Sequence, residues 1–266
     1  MRGFTFVGAE GAHVAIYISK PETPRGLVLF LHGYGLHARM PRYDALMKSL
    51  LDASFAVAAW DCPHHGASST LGAKKHALRP LRLPTAHVLV HDVREAARVC
   101  RSIVPDVPLI LMGESMGAAL AWASAPEVKP AGVCSVTGQV RVPSLWDFVR
   151  ATMRADGKLL REMRRDPRIA IGVARPSVWR CGIRLMRLAR EALPAIECPV
   201  HFAVGTRDMF SVRRTLATMT RCTAVPVFER SVHVVYGGTH DSLATDAEVI
   251  QLCTEFATRV TPQLRV

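Results

Sequence analysis

The 266-residue sequence is short of several things. No apolar run approaches the roughly 18 residues that a membrane-spanning helix requires. The opening stretch, MRGFTFVGAEG, has neither the apolar core nor the small-residue cleavage site of a secretory signal. Seven cysteines, an odd number with no C-x-x-C pair, argue against a disulfide framework and against a structural zinc site. These absences lead to the expectation of a reduced cytosolic protein. There is no internal repeat and no low-complexity linker, so a single compact α/β domain with at most a modest insertion suits the length.

Acidic residues are also scarce. The chain has 22 Asp and Glu against 34 Lys and Arg, a net charge of +12, and the surplus is uneven. Residues 139–195 hold 13 basic and 5 acidic side chains, or +8 of the total. A basic surplus suits nucleic acid, an anionic membrane surface or acidic substrates, or else it serves only to solvate a surface. No nucleic-acid-binding motif accompanies it, so nucleic acid is not expected as a partner. Peripheral contact with an anionic membrane through this segment stays open beside the plain solubilising role.

What is present is alternation. Phe4–Val7 and His13–Ser19, split by Gly8-Ala9-Glu10-Gly11, signal a hairpin. Apolar runs at Leu27–Leu31, Phe55–Trp60 and Leu109–Met112 read as buried strands, and Val133–Thr137, Val200–Val204 and Val232–Tyr236 read as further strands. Between them, helices are predicted over 42–53, 87–103, 116–124, 212–221 and 246–260. Strands alternating with helices imply an α/β fold, a mostly parallel sheet covered on both faces. The pattern breaks only over 139–195, with helix-like pieces at 145–153, 157–165 and 178–192. This organisation predicts a core of 1–138 and 196–266, with 139–195 a basic helical cap laid over one end of the sheet.

Within that frame, Gly113-Glu114-Ser115-Met116-Gly117 matches G-x-S-x-G. The match acquires meaning because a buried strand runs in and an alanine-rich helix runs out. A sharp turn there lifts the Ser115 hydroxyl clear of the sheet, and the glycines keep side chains out of the crowded space. The N–H of Met116 then lies at a helix N-terminus, where it can donate to a developing oxyanion. A helix-capping serine is the competing reading. A nucleophilic serine needs a base, an acid that orients it and a second oxyanion donor. Asp208 follows the strand Val200–Val204 on a loop and suits the acid; Asp241 and Asp246 lie beyond the last strand and suit it less. His240, on the loop after Gly237-Gly238-Thr239, suits the base. His233 competes, and would gain if the last strand lay instead at Pro226–Glu229. The glycine loop His32-Gly33-Tyr34-Gly35 follows the first long buried strand, and the Tyr34 N–H suits the second donor.

With these residues the sequence resembles the α/β-hydrolase superfamily, and within it the monoacylglycerol lipase and lysophospholipase branch. The resemblance rests on His32-Gly33-Tyr34-Gly35, His37, Arg42-Tyr43, Asp61-Cys62-Pro63-His64-His65-Gly66-Ala67-Ser68, Gly113–Gly117, Gly205-Thr206-Arg207-Asp208 and Gly237-Gly238-Thr239-His240. It implies the α/β-hydrolase fold, a Ser115-His240-Asp208 triad, an oxyanion hole at Tyr34 and Met116, and a cap over 139–195. It also implies hydrolysis of a lipid-like monoester without a cofactor. Peptidase or thioesterase activity on the same scaffold, or ligand binding without turnover, are the alternatives. Three features depart from the branch: Leu36 stands where an acid is common, an extra Met40-Pro41 precedes Arg42, and Glu114 replaces a histidine. A Glu114 carboxylate turned toward His240 would raise that histidine's pKa; turned outward it would do nothing. The cap is short for the branch, which favours a smaller or more open acyl pocket. His64 and His65 are adjacent and lack completing ligands, so they read as structural loop residues and no metal is predicted.

Overall fold

A computed structural model describes residues 1–69, 83–138, 140, 161, 165, 166 and 176–261. Eight strands form one sheet in the order β1-β2-β4-β3-β5-β6-β7-β8. They are β1 (Arg2–Val7), β2 (His13–Ser19), β3 (Gly26–Leu31), β4 (Phe55–Trp60), β5 (Leu109–Glu114), β6 (Gly132–Val136), β7 (Val200–Gly205) and β8 (Arg230–Val235). The β1–β2 and β2–β4 pairs are antiparallel and every later pair is parallel. The α/β-hydrolase fold is therefore present.

The three runs predicted as buried strands, in β3, β4 and β5, are buried on both faces because their side chains alternate between two cores, whereas β8 at the sheet edge is only partly buried. Leu27, Leu29 and Leu31 of β3 and Leu109 and Leu111 of β5 enter one core. Val28, Phe30, Ile110 and Met112 enter the other. Helices α2 (Ala86–Ile103), α3 (Met116–Val128) and α4 (Pro176–Ala192) cover the first face, while α1 (Asp44–Asp52) and α6 (Ala247–Val260) cover the second. The short α5 (Val212–Met219) packs beside β7 and β8. Helix α3 is apolar all round, as a helix enclosed between sheet, α2 and α4 must be.

Boundaries differ from the sequence expectation in places with local causes. Pro41–Tyr43 forms a 3₁₀ turn ahead of α1, because Pro41 fixes the entry and Arg42 and Tyr43 are turned inward. Helix α3 continues past Ser124 through Pro126 and ends where Lys129 adopts a left-handed conformation. Val227–Glu229 is a 3₁₀ turn rather than a strand, which leaves His233 inside β8. Of the expected cap, α4 is described and packs against α2 and α3. The pieces at 145–153 and most of 157–165 lie outside the described residues. Among the described residues no helix is long and apolar enough to cross a membrane.

Candidate active site

Ser115 sits on the turn between β5 and α3 with φ 53° and ψ −110°. A non-glycine residue at positive φ is strained, and such strain persists only where surrounding structure enforces it. The enforcement is visible on both sides. The Ser115 N–H donates to the Val136 carbonyl at 2.9 Å, tying the turn to the end of β6. A Cβ added at Gly117 would lie 1.9 Å from the Leu31 carbonyl oxygen, and one at Gly113 would lie 2.3 Å from the Gly117 backbone. Only glycines permit so close an approach of strand and helix.

The elbow aims the hydroxyl at the histidine loop. Ser115 Oγ lies 3.0 Å from His240 Nε2, and His240 Nδ1 lies 2.9 Å from Asp208 Oδ1. Because Nδ1–H donates to the carboxylate, Nε2 is left to accept the serine proton. Asp208 is held in turn by the Phe210 N–H, which donates to Oδ1 at 2.9 Å, and its side chain is wholly buried. The Phe210 ring meets the His240 ring edge-on, with centroids 5.1 Å apart. Burial alone would lower the His240 pKa. The charge and hydrogen bond of Asp208, with smaller contributions from Asp241 and Glu114, outweigh that and raise it.

Strand ends bring these loops together. The loops after β7 and β8 are laced by Arg207 N–H to the Gly238 carbonyl at 2.9 Å, Thr206 N–H to the Val235 carbonyl at 3.0 Å and Gly237 N–H to Thr206 Oγ1 at 2.9 Å. Gly205 packs so tightly that a Cβ there would lie 2.0 Å from the Gly238 carbonyl oxygen. His233 takes no part. It stays in β8 with Nε2 3.3 Å from Glu248 Oε1 of α6. Asp246 caps α6, and the Asp241 carboxylate acts on His240 only as a lesser nearby charge, while its backbone carbonyl accepts from Arg42.

The loop after β3 lies beside the nucleophile: a Cβ on Gly33 would come within 3.6 Å of Ser115 Cβ. Met116 opens α3, so its N–H is among those with no intrahelical acceptor. The Tyr34 loop is fixed from below by two buried histidines. His32 Nε2 accepts from the Cys62 N–H at 3.0 Å and its Nδ1 donates to the Gly33 carbonyl at 2.8 Å. His65 Nε2 accepts from the Gly35 N–H at 3.3 Å while its Nδ1 donates to the Pro63 carbonyl. Burial lowers these histidines to about 4 and about 3, so both are neutral braces. Asp61 completes the scaffold by accepting from the Ala38 and Ala67 N–H groups at 2.8 and 2.7 Å. His65 is the structural loop residue expected, whereas the supporting roles of His32 and Asp61 were not read from the sequence, although both stand in the quoted motifs. His37 meets Asp166, within 139–195, at 2.8 Å.

Glu114 points neither straight at His240 nor outward. It is buried, with Oε1 accepting from Arg42 at 2.9 Å and Oε2 accepting from the Tyr43 hydroxyl. Arg42 also donates to the Asp241 carbonyl at 2.6 Å. Elbow, 3₁₀ turn and histidine loop are thus clamped around one buried ion pair. The extra Met40 beside it is fully buried, and Leu36 is buried as well. Both departures therefore fill core space.

Comparison with known proteins gives a consistent picture. Residues 22–160 match the Hydrolase_4 family, described as serine aminopeptidase, S33. The chain is 32% identical over 120 residues to a monoacylglycerol lipase of Mycolicibacterium smegmatis, a match covering 45% of this chain and 39% of that protein. It is 32% identical over 122 residues to the human monoglyceride lipase, covering 46% and 37%. The matches thus span well under half the length of these relatives. Among solved structures, a thermostable carboxyl esterase from Bacillus coagulans superposes with a TM-score of 0.82 at 18% identity, over 98% of this chain and 99% of that one. The chain belongs to the Hydrolase_4 family of α/β-hydrolases, and over under half of its length it is similar to monoglyceride lipases.

Proposed function

We propose that the protein is a serine ester hydrolase acting on a lipid-like carboxylic monoester, of monoacylglycerol or lysophospholipid type, through an acyl-enzyme on Ser115. The observation that carries the reading is the continuous Ser115–His240–Asp208 hydrogen-bond chain, at 3.0 and 2.9 Å. Ser115 Oγ attacks the ester carbonyl as its proton passes to His240 Nε2. The carbonyl oxygen becomes an oxyanion beside the N–H groups of Tyr34 and Met116. Collapse breaks the C–O bond, and His240 returns the proton to the leaving alcohol. Water, deprotonated by the same imidazole, then releases the carboxylic acid and regenerates the serine. Asp208 keeps the imidazole in the required tautomer throughout.

The names of the sequence relatives support a monoacylglycerol-type substrate, and the charge of residues 139–195 supports peripheral contact with anionic membranes. The family's aminopeptidase description keeps amide substrates as the second reading. A peptidase of that kind needs an acid for a charged amino terminus. Glu114, the spare acid next to Ser115, is already committed to Arg42 and Tyr43, which favours the ester. Thioester cleavage would use the same steps. Intact-mass analysis after fluorophosphonate treatment should show one added label on wild type and none on Ser115→Ala. A folded wild type that takes no label would overturn the hydrolase reading in favour of ligand binding without turnover. Comparing a monoacyl ester with an aminoacyl anilide then separates lipase from peptidase.

A further inference from the structure

A cleft of about 870 Å³ lies between α4 and α5, outside the triad and its oxyanion donors. That volume is in the range of small-molecule sites, roughly 300–1,000 Å³. Two helix faces with matching spacing form its walls. Ile183, Met186, Arg187 and Arg190 line it from α4, at i, i+3, i+4 and i+7. Arg214, Ala217, Thr218 and Arg221 line it from α5 and the turn beyond, at the same spacing. Ser211 and Arg213 add the start of α5, and Val140 is buried against the base. No Asp or Glu is among the described residues that line it.

Five arginines therefore share one concave space. Elsewhere on the surface, Arg94 pairs with Glu127 and Arg98 with Glu95. Among the described residues no ion pair is formed by Arg187, Arg190, Arg213 or Arg221. Like charges gathered in one concave space repel one another, and a bound anion relieves that repulsion. Guanidinium groups present planar pairs of N–H donors that fit two oxygens of one phosphate. The α5 N-terminus adds dipole of the same sense. The apolar share of the lining, Val140, Ile183, Met186 and Ala217, suits a ligand that also carries carbon.

We infer that the α4–α5 cleft is a binding site for a phosphate-bearing ligand, recognised by Arg187, Arg190, Arg213 and Arg221. The site stands whether or not Ser115 turns over an ester. Its ligand is either a soluble phosphorylated molecule or the head group of a phospholipid, and the two share the chemistry described.

The test is titration calorimetry with inorganic pyrophosphate and co-sedimentation with vesicles, on wild type and two variants. One variant carries Arg187→Gln, Arg190→Gln, Arg213→Gln and Arg221→Gln. The other removes the same charge away from the cleft, with Arg94→Gln, Arg98→Gln, Arg101→Gln and Lys129→Gln. Pyrophosphate affinity should fall by roughly tenfold or more in the first variant, since several charge-assisted hydrogen bonds are lost, and change little in the second. A circular-dichroism spectrum and a thermal melt matching wild type show that the first variant is folded. Should it fail to fold, the four Lys substitutions at the same positions replace it, and weaker pyrophosphate binding is again expected because the bidentate fork is lost. Binding to phosphatidylcholine vesicles containing phosphatidic acid, lost in the same variant, assigns a lipid head group. Pyrophosphate binding without vesicle binding assigns a soluble ligand. Equal losses in both variants, or no binding of either probe at low salt, would overturn the inference.

Discussion

At the scale of single residues, two groups make the site's behaviour predictable. The first is His240, whose pKa is raised above 6.5 because Asp208 outweighs the effect of burial. Only the neutral imidazole can accept the serine proton. Activity should therefore fall as pH drops through that raised value, giving kcat/KM an acid limb with its midpoint above 6.5. Asp208→Asn leaves burial without the carboxylate, so the midpoint should move down while kcat falls by about 10⁴-fold. An acid limb that does not move in this variant would assign the titration to another group. The second is Glu114. With side-chain exposures of 4% on both Glu114 and Arg42, this pair is a buried one. Glu114→Gln would leave the Arg42 cation buried without its counter-charge, and denaturant melts should show a loss of about 3–5 kcal/mol. A Glu114→Leu/Arg42→Met double variant should lose less than the two single changes together, as expected when two side chains act as a unit. The meeting of Ser115, Asp208 and His240 could be anticipated because each sits just beyond a recognisable strand. The Glu114 contacts could not: Arg42 is 72 positions away, and the Asp241 carbonyl that Arg42 also holds is 199 away. No local pattern encodes which way a buried carboxylate turns.

At the scale of elements, close backbone approach decides the outcome. Gly117→Ala would drive a methyl group into the Leu31 carbonyl, and Gly205→Ala would drive one into the Gly238 carbonyl. Neither neighbour is a flexible side chain that can swing away, so strand must part from helix or loop from loop. Both variants should melt earlier and react with fluorophosphonate far more slowly than wild type. Gly182→Ala, in α4 with open space around it, should instead raise stability by roughly 0.5–1 kcal/mol through better helix propensity. A Gly117→Ala variant that labels at the wild-type rate would show that the elbow tolerates displacement. Element type was legible because apolar runs of strand length alternate with amphipathic helical spacing, as in α2. Element ends were less so. Pro41 shortens α1 at its start, and α3 outruns its alanine-rich stretch because tertiary burial against α4 outweighs the local preference of Pro126.

At the scale of the whole molecule, position along the chain and position in the sheet are decoupled. Strands β3, β5, β7 and β8 are parallel members of one sheet, and the loops at their carboxyl ends carry Tyr34, Ser115, Asp208 and His240. The acid and the histidine are only 32 positions apart, within one β7–α5–β8 unit. The serine and the histidine are 125 positions apart. They meet only when the seam between β6 and β7 has closed. A contact so distant along the chain forms late, because its loop-closure entropy must be met before it stabilises anything. While the polypeptide is still finding its shape, its serine is therefore an ordinary alcohol. On the proposed mechanism the molecule would stay chemically silent until β5 to β8 lie side by side, and the arrival of reactivity would report that this half of the sheet has been assembled.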